Sequence, residues 1–104
     1  MNIMELNYWT CWQFPDGHTR MSGFIATNDG NRRWVFSDPI DGVKNDRIVS
    51  VGNNFYFKLV HQLKKADYMD TMNNLEKWCR ERQFPSPTDI SNQLAEKMTK
   101  EIDK

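Results

Sequence analysis

A chain of 104 residues is long enough for one domain with a single core and too short for two. Fourteen Lys and Arg balance fourteen Asp and Glu, so no net field draws the chain to a polyanion and no acidic surface imitates one. Aromatic residues make up 12% of the sequence, which argues against disorder because there is apolar area to bury.

Residues 5 to 14 are rich in types that favour a pleated, half-buried surface, with Leu6, Tyr8, Trp12 and Phe14 on one side at period two. Pro15-Asp16-Gly17 then turns the chain, because proline presets its own φ and glycine accepts a positive one. A second strand is expected over about 18 to 27. Asp29-Gly30 is the favoured pair for a two-residue hairpin turn, and Arg32 to Phe36 makes a third strand before Asp38-Pro39-Ile40-Asp41-Gly42 breaks it. Arg47 to Val51 reads as a fourth strand. Phe55 to Val60 fits a fifth strand closing a hairpin; the alternative is a helix capped by Asn53 or Asn54 with a Phe55, Leu59, Leu63 stripe.

From about 66 to 83 the pattern is helical, with Tyr68, Met72, Leu75 and Cys79 as its stripe, acidic residues in the first turn and arginines in the last. Pro85-Ser86-Pro87 stops that helix. Ser86 as N-cap and Pro87 at the first helical position start another over 87 to 102, with Ile90, Leu94, Met98 and Ile102 every four residues. The expected fold is α+β: one domain over 1 to 104, an antiparallel meander of three to five strands between about 5 and 60, then two C-terminal helices.

Catalytic signals are thin. Cys11 and Cys79 form no CxxC pair, and His18 and His61 are the only imidazoles to serve them as a base. Two Cys and two His without paired spacing do not make a zinc site, and no glycine-rich phosphate loop follows a strand. No catalytic residue, metal or cofactor is expected. Nothing resembles a signal peptide and the longest apolar runs are far too short to cross a bilayer, so a reduced, cytoplasmic protein with no membrane partner is expected.

The first hairpin carries two conflicting register signals. Turn chemistry favours a three-residue loop that pairs Phe14 with His18, Trp12 with Arg20 and Tyr8 with Phe24, with Trp9 over Gly23. A two-residue second loop then sets Ala26 against Arg33 and Phe24 against Val35. Both faces of that sheet are apolar, more than two helices are expected to cover, and Tyr8, Trp12, Arg20, Phe24 and Arg33 form an exposed aromatic and basic platform. Hydrophobic patterning favours a two-residue first loop, which gathers Leu6, Tyr8, Trp12, Phe14, Met21, Ile25, Trp34 and Phe36 on one buried face and makes the sheet ordinary core.

The binding residues expected are therefore Tyr8, Trp12, Arg20, Phe24 and Arg33. Trp, Tyr and Arg dominate protein-interface hot spots. The expected function is a non-enzymatic binding protein, an inhibitor or adaptor of the kind phages and other mobile elements carry, docking on a protein partner through this face or the C-terminal helix. The alternative is a single-stranded nucleic-acid binder that stacks bases on the same residues, with neutral net charge against it. The last helix is expected to fold back on the domain; pairing with a second copy into a homodimer is its other use.

Overall fold

A computed structural model of the protein describes residues 2–45, 47–52, 54–63 and 65–102. Its strands are β1 (Asn2–Gln13), β2 (Thr19–Ala26), β3 (Arg32–Phe36), β4 (Gly42–Asn45), β5 (Ile48–Ser50) and β6 (Phe55–Leu59). Helix α1 (Tyr68–Arg82), the short strand β7 (Thr88–Asp89) and helix α2 (Ser91–Ile102) complete the chain. The fold is α+β, a strand-rich mixed sheet followed by two helices. The strand order is β3-β2-β1-β6-β5-β4, with β7 on the other flank of β1. All pairings are antiparallel except β1 with β6, which is parallel and sets Leu6 beside Leu59. Phe55 to Leu59 is thus a strand, and it hydrogen-bonds to β1 as well as closing the hairpin with β5. Asn53, a cap in the helical alternative, lies outside the described residues.

The two hairpin loops are built the same way. Phe14 N–H donates to His18 O (2.9 Å) and Gly17 N–H to Phe14 O (3.0 Å), while Thr27 N–H donates to Asn31 O (2.9 Å) and Gly30 N–H to Thr27 O (3.1 Å). Each is a three-residue loop closed by a glycine at positive φ, +90° at Gly17 and +84° at Gly30. In each, the aspartate before the glycine accepts the N–H of the residue after it: Asp16 from His18 and Asp29 from Asn31. The first loop therefore follows its turn chemistry, with Trp12 against Arg20. The second corrects the expected two-residue turn. Ala26 pairs with Arg32, Ile25 with Arg33 and Phe24 with Trp34, one residue away from the predicted register.

A bulge then changes parity within β1. Asn7 pairs with Phe24 and Thr10 with Ser22, so β1 spends one more residue than β2 between these points. The extra residue is taken up at Tyr8, whose φ is +51°. Leu6 consequently joins Trp9 and Cys11 in one core with Met21, Val49, Phe57 and Leu59, closed by Leu94 and Met98 of α2. Trp12 and Phe14 point the other way, into a second core with Leu75 and Cys79, against which Phe36, Met72, Trp78 and Phe84 pack. Each helix covers one face of the sheet. Two helices suffice because the β5–β6 half of the sheet covers part of the α2 side.

Both helices depart from their sequence reading. On α1 the buried residues are Thr71, Leu75 and Cys79, with Tyr68 turned outward. The helix ends on left-handed Gln83, and Phe84 N–H reaches back to Cys79 O (2.9 Å), which folds Phe84 onto Trp78. Helix α2 begins at Ser91, so Ser86 is not its cap. Thr88 and Asp89 instead pair with Gln13 and Trp12, and Ile90 N–H donates to Cys11 O (2.8 Å). The prolines at 85 and 87 favour extended backbone, and the free edge of β1 offers a ladder in place of one helical turn. Leu94 and Met98 are buried against the sheet, so the apolar stripe of α2 is used within the chain; the side chain of Ile102 is outside the description.

Gly23 sits opposite the bulge. A β-carbon there would meet Leu6 Cγ at 2.7 Å and Asn7 O at 3.0 Å, and Leu6 is fully buried. Gly23→Ala is therefore expected to destabilise the protein by about 1–3 kcal/mol through overpacking, read as a lower urea midpoint.

Candidate functional site

The bulge brings Tyr8 out of the strand's alternation and next to side chains from two distant parts of the chain. Its ring stacks on His61, with centroids 6.1 Å apart and planes at 23°. His61 is held there by backbone: its carbonyl accepts Trp9 N–H at 2.8 Å, directly after the bulge. The Arg32 guanidinium also lies near Tyr8, 5.8 Å from its ring centroid and 4.2 Å from that of Phe24. Pairing of Ala26 with Arg32 puts this arginine on the same sheet face as Phe24, so the three-residue second loop is what creates the contact.

Arg32 is anchored by Asp67, whose carboxylate accepts its Nη2–H at 2.8 Å. That hydrogen bond raises the guanidinium pKa further above its usual value, with Asp67 and Asp70 also contributing charge. The ion pair itself adds less than about 1 kcal/mol to stability, because Arg32 is 47% exposed. Its main effect is to fix the guanidinium plane over the two rings. Asp67 precedes α1, and the next two residues, Tyr68 and Met69, are 44% and 66% exposed. Tyr8, His61 and Arg32 thus form one cluster at the surface, and two exposed apolar side chains follow directly in sequence on the aspartate that anchors its guanidinium.

The five residues expected to form one platform are dispersed. Tyr8 is on this surface and half-buried. Phe24 is 7% exposed and serves as the floor under Arg32. Trp12 is 2% exposed, its indole N–H donating to Ser22 Oγ (3.0 Å) inside the α1 core. Arg20 lies on that same core: its guanidinium is 5.2 Å from the Trp78 ring and 5.4 Å from Phe84, and it donates to Ser37 O at 3.2 Å. Arg33 is exposed on the opposite face, beside Ile25. His61, Arg32, Asp67, Tyr68 and Met69 were not singled out as site residues by sequence. Only Arg32 had a usable signal there, since the three-residue loop reading of Asn28-Asp29-Gly30 places it beside Phe24.

The thiols are poorly placed for chemistry. Cys11 pairs with Met21 in the α2 core, and its N–H donates to Ser91 Oγ at 2.9 Å. Burial, with Asp89 adding to it, pushes its pKa up to about 12. Burial also raises that of Cys79. His18 lies at the loop, 3.4 Å from the Asp16 carboxylate. Among the described residues no three His, Cys, Asp or Glu gather closely enough to hold a metal ion. No described helix is long and apolar enough to cross a membrane. No protein-family model matches the chain, and no curated protein or solved structure matches it significantly.

The thiol geometry has a direct consequence. Since the thiolate is the reactive form, Cys11 is expected to resist a thiol reagent at pH 8 in the native state and to react fully once denaturant is added. Because its folded value lies above the ordinary 9.0, stability contributed by the buried neutral thiol is present below pH 9.0 and is lost as pH rises toward about 12. Urea midpoints that stay constant between pH 8 and pH 11 would contradict the assignment.

Proposed function

We propose that this chain is a non-enzymatic binding protein, an inhibitor or adaptor, that docks on a protein partner through the surface around Tyr8. One observation carries the reading. A bulky aromatic residue holds a left-handed conformation in the middle of the longest strand, where such a backbone costs on the order of 1–3 kcal/mol. Bulges of this kind re-aim a side chain, and the ring re-aimed here meets an imidazole and an anchored guanidinium at the surface. Tyrosine and arginine held rigid beforehand lose little side-chain entropy on association, which favours a hot spot.

Charge favours a protein partner over a nucleic acid. Arg32 is already bound to Asp67, and Asp70 acts on it as well, so the surface offers little uncompensated positive charge to a phosphate. The chain as a whole is neutral.

Arg32→Gln is expected to cost less than about 1 kcal/mol of folding stability while weakening partner binding by more than about 2 kcal/mol, roughly thirtyfold. The partner is found by retaining proteins from host lysate on the immobilised chain, in parallel with an Arg32→Gln, His61→Ser variant. A polypeptide held by the parent and lost from the variant supports the reading. Equal retention by both, or micromolar binding of a labelled single-stranded oligonucleotide with a steep salt dependence, contradicts it.

A further inference from the structure

At the far end of β3 from Arg32, a cleft of about 290 Å³ opens where the end of that strand faces the β5–β6 turn. Phe57, a residue of the α2 core, and the half-buried Phe55 line it, with Val51, Gly52 and Asp38 around them. The two phenylalanines are two residues apart on β6 and therefore share a face. Their rings stand at 89° with centroids 5.3 Å apart, an edge-to-face pair of which Phe55 is the more accessible member. Asp38 is exposed and makes no ion pair among the described residues. A second carboxylate is close: Asp41 Oδ2 lies 3.6 Å from where a β-carbon on Gly52 would stand. No described basic residue lines the cleft itself; Arg20 reaches only the Ser37 carbonyl at its edge.

We propose that this cleft is a binding site for a quaternary ammonium group. Aromatic faces carry negative charge density and attract a cation that is weakly hydrated, and the adjacent carboxylates complement its charge. The hydrogen-bonding supply selects the kind of cation. Three carbonyls at the cleft already accept hydrogen bonds: Ser37 O from Arg20, Gly52 O from Phe55 N–H and Phe55 O from Val51 N–H. A primary ammonium must share the Asp38 and Asp41 carboxylates and carbonyls that each already accept one hydrogen bond, whereas a quaternary one has no donor to satisfy. The volume stands at the lower limit of ligand pockets, about 300 Å³, and suits a compact head group. The site is separate from the Tyr8 surface, so the two assignments stand or fall independently.

The test is a titration of choline chloride into ¹⁵N-labelled protein, beside its uncharged isostere 3,3-dimethylbutan-1-ol and beside sodium chloride at equal ionic strength. The expected result is saturable shifts of the Val51, Gly52 and Phe55 amides with choline. Binding of the alcohol should be about tenfold weaker, a difference near 1.4 kcal/mol. Asp38→Asn, which alters only an exposed side chain, should weaken choline binding several-fold with the remaining spectrum unchanged, and Phe55→Leu should weaken it too, with spectral changes confined to the surroundings of the lost ring. Shifts no larger than those from sodium chloride overturn the proposal. So does equal binding of the alcohol, or choline affinity unaltered by Asp38→Asn.

Discussion

The structure depends on one residue too many in β1. Strict alternation along Leu6, Tyr8, Trp12 and Phe14 would put all four on one side of a single sheet. Taking Tyr8 into the left-handed region breaks that parity, so Leu6 turns to the same side as Trp9 and Cys11 while Trp12 and Phe14 face away. One strand can then serve two half-sheets: its first half pairs with β6 and its second with β2 and β7. Gly23 is the counterpart of this device, since only a residue without a side chain fits where Leu6 and Asn7 crowd β2.

The two cores are stabilised by different chemistry. The α2 side is aliphatic and sulfur-rich, and α2 is tied down by the ladder of Thr88 to Ile90 along β1 and by the Ser91 hydroxyl on Cys11 N–H. The α1 side is an aromatic ladder in which Trp78 stacks on Phe36 at 4.4 Å and on Phe84 at 5.2 Å, with Arg20 and Arg82 within 5.2 Å and 4.7 Å of its ring. Arg20 therefore works as cover for apolar area, its guanidinium lying along the rings while its charge stays close to water. This explains why an aromatic and basic sequence signature around Trp12 and Arg20 resolves mostly into packing.

Local chemistry made much of this legible. The Pro15-Asp16-Gly17 loop, the strand at Phe55, the span of α1 and the burial of Leu94 and Met98 all follow from turn residues or periodicity. What escaped was decided by tertiary competition. The β-bulge has no sequence mark, because Tyr8 is an ordinary strand residue by propensity and only the demand to bury Leu6 with Trp9 reveals it. The second loop differs from its composition by one residue: Asp29-Gly30 fits a two-residue turn, and its carboxylate instead selects the form also used at Asp16. Ser86 and Pro87 look like a helix start until the open flank of β1 is available to pair with Thr88 and Asp89. Tyr8 could be named as a candidate from sequence; His61, which meets its ring, and Asp67, which anchors Arg32, could not, since both come from distant parts of the chain.

Backbone strain falls on the residue whose half-buried ring meets His61 and Arg32, which links the architecture to the proposed docking surface. The most direct test compares the folding stabilities of Tyr8→Ala and Tyr8→Gly by urea denaturation. At a left-handed position glycine is relieved of the backbone penalty that alanine keeps, so Tyr8→Gly should be the more stable of the two by about 1 kcal/mol. An alanine variant as stable as the glycine variant, or more so, as in a regular strand, would contradict the bulge and the account built on it.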